Sequence, residues 1–155
     1  MRPEKLKAVA PAAQAASGPQ GYVLDEQVGF LMRVAMQRHT AIFMSQMIEG
    51  LTQTQFAALA KLYEVGTCSQ NHLGRLIYLD AATIKGVVDR LCARGFVAAL
   101  ADPADRRRRA VALTERGRSV TQAARRVATL ITADTLVPLT PEEQRVIARL
   151  LKRLG

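Results

Sequence analysis

The length, composition and charge of this chain exclude several classes of protein. Its 155 residues leave room for one domain with a substantial core, and 22 Lys and Arg against 13 Asp and Glu give a formal net charge of +9. That charge favours a polyanionic partner, either nucleic acid or an anionic membrane surface. A membrane role is excluded because no apolar run approaches the roughly 20 residues that span a bilayer. The start of the chain also lacks the apolar segment of a signal peptide, so we expect a cytoplasmic protein.

The first 21 residues form the first predicted segment. Three of the six prolines lie there, together with Arg2, Lys5 and Lys7. We predict a flexible basic arm over residues 1–21. The arm is either a tail without a role or a segment that contacts a nucleic-acid backbone or groove. Residues 22–155 are expected to form a single domain.

The next segments are predicted to be helical, because their apolar residues recur at three, four and seven positions. The first helix spans residues 24–49 and ends near Gly50. A short second helix begins at Thr52, where Gln55 completes a capping box, and ends at Gly66. Ser69 is the expected N-cap of a third helix.

A fourth helix follows the third after a tight turn, which predicts a helix-turn-helix. Asp80 is its expected N-cap. Its apolar face consists of Ile84, Val87, Val88 and Leu91. Gly95 can adopt the left-handed conformation that ends a helix in a Schellman motif, with Phe96 folded back onto Leu91.

A β-hairpin and two further helices complete the chain. Alternating apolar residues flank a charged turn within residues 97–113, which predicts two antiparallel strands. Thr114 is the expected N-cap of a fifth helix. The apolar stripe of that helix includes Val120, Val127, Leu130 and Ile131. Thr140 opens the last helix, with Pro141 at its first position and Glu143 completing a capping box.

The predicted fold is therefore mainly α-helical with a small β-hairpin wing. A winged helix-turn-helix occupies residues 52–113, and long helices occupy residues 24–49 and 115–154. These outer helices carry more apolar surface than one small core can cover, which predicts that they bury it against a second copy in a homodimer.

The exposed face of the fourth helix has the composition expected of a DNA-reading helix. Ala82 and Thr83 are small, and Lys85 and Arg90 are positively charged. A helix enters the major groove deeply only when its leading face is small, and its first turn then reaches the base edges. Ala82 and Thr83 can contact thymine methyl groups, and Lys85 can contact guanine acceptors or a phosphate. The alternative is an ordinary solvated helix face.

The turn of the predicted hairpin carries four consecutive arginines at residues 106–109, after Asp105. Without a polyanion these charges would repel one another. Arg107 is placed to enter a narrow minor groove, whose negative potential attracts guanidinium groups, and Asp105 is close enough to orient an arginine. Arg106 and Arg108 would lie on the other side of the strand. A soluble charged loop is the alternative.

Three stretches of this sequence form a distinctive set, D-A-A-T-I-K-G-V-V-D-R-L-C-A-R-G-F-V at residues 80–97, D-P-A-D-R-R-R-R at 102–109 and V-A-L-T-E-R-G at 111–117. Together they resemble the MarR family of winged helix-turn-helix regulators. The resemblance implies a homodimer in which the first, fifth and sixth helices of two chains interlock. It also implies that Arg107, braced by Asp105, enters the minor groove, while Thr83 and Lys85 lie in the major groove. In such regulators a small phenolic or aromatic acid, or an oxidant, commonly releases the double-stranded DNA.

A candidate effector site lies on the first helix. Arg38 and His39 are placed beside Phe43 and Met47, which offers an anionic aromatic ligand a charge partner and an adaptable apolar wall. The alternative is that the apolar residues are core or dimer contacts and that Arg38 is a surface group.

The stretch Y-V-L-D-E-Q-V-G-F and the Q-R-H at residues 37–39 also resemble MarR-like regulators of aromatic-acid catabolism. This resemblance implies a repressor of a catabolic operon, with an aromatic carboxylate or its coenzyme A thioester as effector.

Other functions lack the residues that they need. The sequence contains two histidines but no nucleophile motif and no Gly-rich phosphate loop, so it lacks the residues of a catalytic site. Neither histidine has a neighbour at metal-ligand spacing. We therefore expect no enzyme, no metal and no cofactor. Cys68 and Cys92 are expected to be inert, with a cysteine-based redox-sensing repressor as an alternative. A second alternative is an architectural winged helix that binds DNA through charge alone, without sequence preference.

Overall fold

The computed structural model describes residues 21–101 and 109–155. The chain divides into two compact units, Met1–Ala35 and Met36–Gly155. In the first unit a 3-10 turn at Leu24–Glu26 precedes the start of helix α1, Val28–Gln46. The second unit contains the rest of α1, then α2 (Gln53–Val65), β1 (Cys68–Ser69), α3 (Gln70–Leu76), α4 (Ala81–Ala93), β2 (Val97–Ala101), β3 (Arg109–Leu113), α5 (Glu115–Leu136) and α6 (Pro141–Leu154).

The first helix is shorter than its apolar periodicity predicts. The expected helix over residues 24–49 is interrupted at Gln27 and at Met47, whose backbones are extended, and a second 3-10 turn follows at Ile48–Gly50. Glu49 has a φ of 57°, in the left-handed region. Periodicity does not reveal these breaks, because a single 3-10 turn nearly preserves the spacing of apolar side chains along a helix.

The N-caps predicted for the next five helices are confirmed. In α2 and α6 the capping hydroxyl accepts a bond from the backbone three residues on, and the side chain of that third residue returns the bond. In α3, α4 and α5 the capping side-chain oxygen accepts the same backbone bond. The five capping residues are Thr52, Ser69, Asp80, Thr114 and Thr140. Each cap satisfies an N–H group that has no partner within its own helix.

The three strands form one antiparallel sheet in the order β1-β3-β2. The pairing of β2 with β3 runs from Val97 opposite Leu113 to Ala101 opposite Arg109, which confirms the predicted hairpin. Strand β1 is not among the elements that the sequence predicts, and it pairs Cys68 with Val111. Two residues are too few to show an alternating pattern, and their partner strand is distant in the chain.

Helix α4 ends in the predicted Schellman motif. Gly95 has a φ of 72°, the Phe96 N–H donates to the Leu91 carbonyl at 3.0 Å and the Gly95 N–H donates to the Cys92 carbonyl at 2.9 Å. Phe96 and Leu91 are both fully buried in the same core. The chain therefore turns directly from α4 into β2.

The core of the second unit lies where α2, α3, α4 and α5 meet the sheet. Its largest fully buried apolar side chains are Leu51, Leu59, Leu62, Leu73, Ile84, Leu91, Phe96 and Ile131. The predicted stripe of α5 needs one correction, because Leu130 is 62% exposed. The buried face of that helix is instead centred on Gly117, Thr121, Ala124 and Ile131. Within the described residues no helix combines the length and the apolar character that a membrane span requires.

Candidate functional site

The exposed face of α4 consists of short and basic side chains. The residues predicted to read DNA, Ala82, Thr83, Lys85 and Arg90, are all exposed. The opposite face is buried as predicted, since Ile84, Val87, Val88 and Leu91 are at most 1% exposed. The buried face anchors the helix, so the four polar or small residues lie together on an open surface.

The first turn of α4 is held by Asp80. Its carboxylate accepts hydrogen bonds from the Thr83 N–H at 2.8 Å and from the Thr83 hydroxyl at 2.7 Å. The bonds from Thr83 hold the pKa of Asp80 below its ordinary value. Because the hydroxyl proton of Thr83 is engaged, this side chain offers a methyl group and an oxygen acceptor to a neighbouring molecule.

Asp89 joins α4 to the hairpin. One carboxylate oxygen accepts from the Lys85 ammonium at 2.6 Å, and the other accepts from the Arg109 guanidinium on β3 at 3.1 Å. The bond from Lys85, and after it the bond from Arg109, keeps the pKa of Asp89 below its ordinary value. Sequence analysis misses this link, because Arg109 reaches Asp89 only through the tertiary fold.

The predicted wing residues Asp105, Arg106, Arg107 and Arg108 lie outside the described residues. Arg109, the last of the four arginines, begins β3, and its side chain is half exposed beside α4.

A second feature of the second unit is a cleft between α1, α2 and α5. Its volume is about 270 Å³, and it is lined by His39, Phe43, Gln53, Phe56, Ala128, Ile131 and Thr132. The rings of Phe43 and Phe56 are tilted, with centroids 6.2 Å apart, and the His39 ring lies 6.3 Å from that of Phe43. Apolar walls with a few polar groups are typical of small-molecule sites. A cavity of about 150 Å³ holds benzene, so this cleft has room for one substituted aromatic ring.

The cleft brings together two of the four residues predicted for an effector site. His39 and Phe43 line it, whereas Arg38 and Met47 are not among the lining residues. Arg38 donates to the Asp134 carbonyl at 2.8 Å, and Met47 is only 8% exposed within the core. Sequence analysis misses the lining residues from α2 and α5, because packing alone brings these helices to α1.

Neither cysteine has the environment of a reactive thiol. Both are free and partly buried, and burial raises the pKa of the Cys68 thiol and of the Cys92 thiol. A raised pKa disfavours the thiolate, which is the form that oxidants attack. In residues 21–101 and 109–155, no three His, Cys, Asp or Glu side chains are grouped closely enough to hold a metal ion.

The arrangement of these elements defines the class of protein. Helices α3 and α4, joined by a tight turn and followed by the β2–β3 hairpin, form a winged helix-turn-helix. The exposed small residues at the start of α4 are typical of the recognition helix in DNA-binding proteins of this class.

Comparison with known proteins identifies the family. Residues 51–108 match the model of the MarR family. The HTH-type transcriptional repressor NicR of Pseudomonas putida is 41% identical over 86% of this chain and 85% of its own length. A probable transcriptional regulator from Pseudomonas aeruginosa has a crystal structure with a TM-score of 0.84 and 48% identity, covering 86% of this chain and all of that one. BpsR of Bordetella bronchiseptica, whose DNA binding is regulated by 6-hydroxynicotinic acid, has a TM-score of 0.82 and 40% identity, covering 86% of this chain and 96% of that one.

The chain belongs to the MarR family. It is a transcriptional regulator and not an enzyme. This family assignment confirms the resemblance that its helix-turn-helix and wing sequences show.

Proposed function

We propose that this protein is a homodimeric repressor that binds a palindromic operator and is released from it by a small aromatic acid. The observation that carries the proposal is the exposed face of α4, where Ala82, Thr83, Lys85 and Arg90 lie together above a fully buried apolar face. Such a face fits a major groove about 12 Å wide. The identity of 41% to the repressor NicR supports repression as the mode of regulation.

In this proposal the parts of the chain have separate tasks. Residues 52–113 bind DNA, with α4 in the major groove and the wing, including Arg107 braced by Asp105, at the minor groove. The helices on either side form the dimer interface, and residues 1–21 act as an arm. The apolar surface of helix α6 supports its part in the dimer interface, because α6 has no buried residue and exposes Ile147, Leu150, Leu151 and Leu154.

The cleft beside His39 and Phe43 is the proposed effector site. Its volume of about 270 Å³ suits a single-ring acid. A coenzyme A thioester would have to leave its nucleotide outside, so the size of the cleft favours the free acid. The regulation of BpsR by 6-hydroxynicotinic acid, at 40% identity, supports an effector of this kind.

An architectural DNA-binding protein is the second candidate function, favoured by the net charge of +9. Positive charge alone binds any duplex equally, whereas base contacts on α4 discriminate between sequences. A redox-sensing repressor has less support, because burial raises the pKa of both cysteine thiols.

The test is to select an operator from random duplexes and to compare it with a scrambled duplex at the same salt concentration. We expect binding to a site whose half-site centres are about 10 base pairs apart, at least about a thousandfold tighter than to the scrambled duplex. Equal affinity for both duplexes would favour the architectural function. Single-ring aromatic acids should then displace the operator, and failure of all of them would remove the effector from the proposal.

A further inference from the structure

Helices α3 and α4 end in the same hydrogen-bonded turn, but with different residues in the left-handed position. After α3 the Leu79 N–H donates to the Gly74 carbonyl at 2.9 Å. The Tyr78 N–H donates to the Arg75 carbonyl at 3.3 Å, which completes a Schellman motif. The left-handed residue is Gly95 after α4, with a φ of 72°, but Tyr78 after α3, with a φ of 58°. Tyr78 therefore occupies a backbone conformation that crowds its Cβ and that glycine adopts without this cost.

The fold compensates the other described residue of this kind but not Tyr78. Glu49 and Tyr78 are the two residues other than glycine that have a positive φ within the described ranges. Glu49 is held by Arg94, whose guanidinium donates to the Glu49 carbonyl and lies 3.6 Å from its carboxylate. Tyr78 is 87% exposed, more than any other large apolar side chain described. Contacts within the chain therefore cover little of the tyrosine ring, and its side chain is available to a partner.

The position of Tyr78 favours DNA as that partner. It lies two residues before Asp80, the N-cap of α4, so the two Cα atoms are at most about 8 Å apart. In the proposed function the first turn of α4 enters a major groove about 12 Å wide, which is bordered by phosphates. A side chain beside this turn is therefore close to the border of the groove. The exposed cations Arg75 and Lys85 lie on either side of Tyr78 in the sequence and suit the same phosphate backbone.

We propose that Tyr78 contacts DNA and that its phenolic O–H donates a hydrogen bond to a backbone phosphate at the edge of the major groove. A phenol keeps its proton at neutral pH, and hydrogen bonds to a charged oxygen are stronger than those to a neutral one. Contacts to phosphates position a protein on the duplex and do not read its sequence. Tyr78 would therefore fix the position of α4 in the groove. This inference rests on the DNA-binding part of the proposed function and adds a positioning residue to it.

Tyr78→Phe tests the hydroxyl alone, in binding isotherms of the full chain. We expect about tenfold weaker binding to the selected operator and to the scrambled duplex alike, because both contain phosphates. The dependence of affinity on salt should stay unchanged, since the substitution removes no charge. Tyr22→Phe is the matched control, because Tyr22 is 74% exposed but precedes α1. Native affinity of Tyr78→Phe for both duplexes would overturn the inference.

Tyr78→Gly separates a role in binding from a role in the fold. Glycine relieves the left-handed backbone, so the urea midpoint should rise and the folding equilibrium constant should increase about twofold or more. Binding to both duplexes should weaken at least as much as for Tyr78→Phe. A tyrosine with only a structural role would change stability and binding in the same direction. A lower urea midpoint, or loss of the dimer in sedimentation, would show that protein contacts hold the ring and would overturn the inference.

Neutral methylphosphonates in place of single operator phosphates locate the bond. At one phosphate in each half-site the replacement should weaken binding of the native chain clearly more than that of Tyr78→Phe, because the variant has no bond to lose there. Equal losses for the two proteins at every phosphate would overturn the inference. If the native chain binds the operator and Tyr78→Phe binds it equally well, only the inference fails. If the native chain binds no duplex, the DNA-binding function fails together with it.

Discussion

Gly117, in the first turn of α5, lies directly against the backbone of Phe96. A Cβ at this position would be 1.8 Å from the Phe96 carbonyl oxygen. The same carbonyl accepts a hydrogen bond from the Thr114 N–H at 3.1 Å. The end of α4 and the start of α5 therefore meet through backbone atoms, and the glycine of the L-T-E-R-G sequence has a packing reason independent of any contact with DNA.

Gly117→Ala should lower the free energy of unfolding by more than about 2 kcal/mol, because backbone atoms must move to admit the methyl group. Gly86→Ala is the matched control on a helix. The nearest atoms to its Cβ belong to the flexible Arg90 guanidinium, at 3.6 Å or more. This control should be neutral or stabilising by up to about 1 kcal/mol, as expected for Gly replaced by Ala in a helix. Urea unfolding of both variants measures the difference, and equal midpoints would contradict the close approach.

Helix α4 is predicted to read DNA as one element, and Lys85 is its central basic residue. If Lys85 contacts a guanine, Lys85→Ala should weaken operator binding by about 1–3 kcal/mol and relax base preference at one position. Lys61→Ala is the control, because Lys61 is a partly exposed helical lysine that is also in an ion pair, with Glu64 at 2.7 Å. Binding isotherms on operator and scrambled duplexes should change much more for Lys85→Ala. Equal effects of the two variants would show that Lys85 contributes to DNA binding only through its positive charge.

Asp89→Asn removes the carboxylate that links α4 to β3. The loss of one negative charge should tighten binding to scrambled DNA, while the release of Lys85 and Arg109 should reduce discrimination between operator and scrambled duplexes. Unchanged discrimination would contradict an orienting role for Asp89.

The pKa of Asp89 is lower in the folded chain than its ordinary value. The link therefore stabilises the fold above the ordinary carboxyl range, and this contribution is lost as pH falls through the lowered pKa.

The starts of α2 to α6 and the turn after α4 are predictable from the sequence, because the hydrogen bonds that form them join residues at most five positions apart. Thr52 with Gln55 and Gly95 with Phe96 carry enough local information to specify a cap and a stop. Strand β1 depends instead on pairing with a distant strand. The candidate site divides in the same way, since the exposed face of α4 follows from helical periodicity, whereas the Asp89–Arg109 contact and the α5 side of the cleft need the tertiary fold.

At the scale of the whole molecule, a single chain leaves the apolar face of α6 exposed. It is amphipathic and fully capped at its start, yet none of its residues is buried. Ile147, Leu150, Leu151 and Leu154 are between 36% and 70% exposed. A second copy related by a two-fold axis would cover this face, and each substitution on it would then count twice in the interface.

Replacing Leu150 and Leu151 together by Ala should therefore weaken the proposed dimer before it weakens the winged helix-turn-helix. Four leucines are lost from the pair of chains, so we expect the dimer dissociation constant to rise at least about a hundredfold, which corresponds to about 2.7 kcal/mol. Arg149→Ala with Lys152→Ala is the control on the polar side of the same helix. Both pairs of substitutions replace good helix formers by Ala, so helix propensity cannot explain a difference between them. Sedimentation measures the dimer and urea unfolding measures the winged helix-turn-helix. If the leucine pair leaves the dimer intact, or if the native chain is a monomer that still binds its operator tightly, α6 does not form the interface.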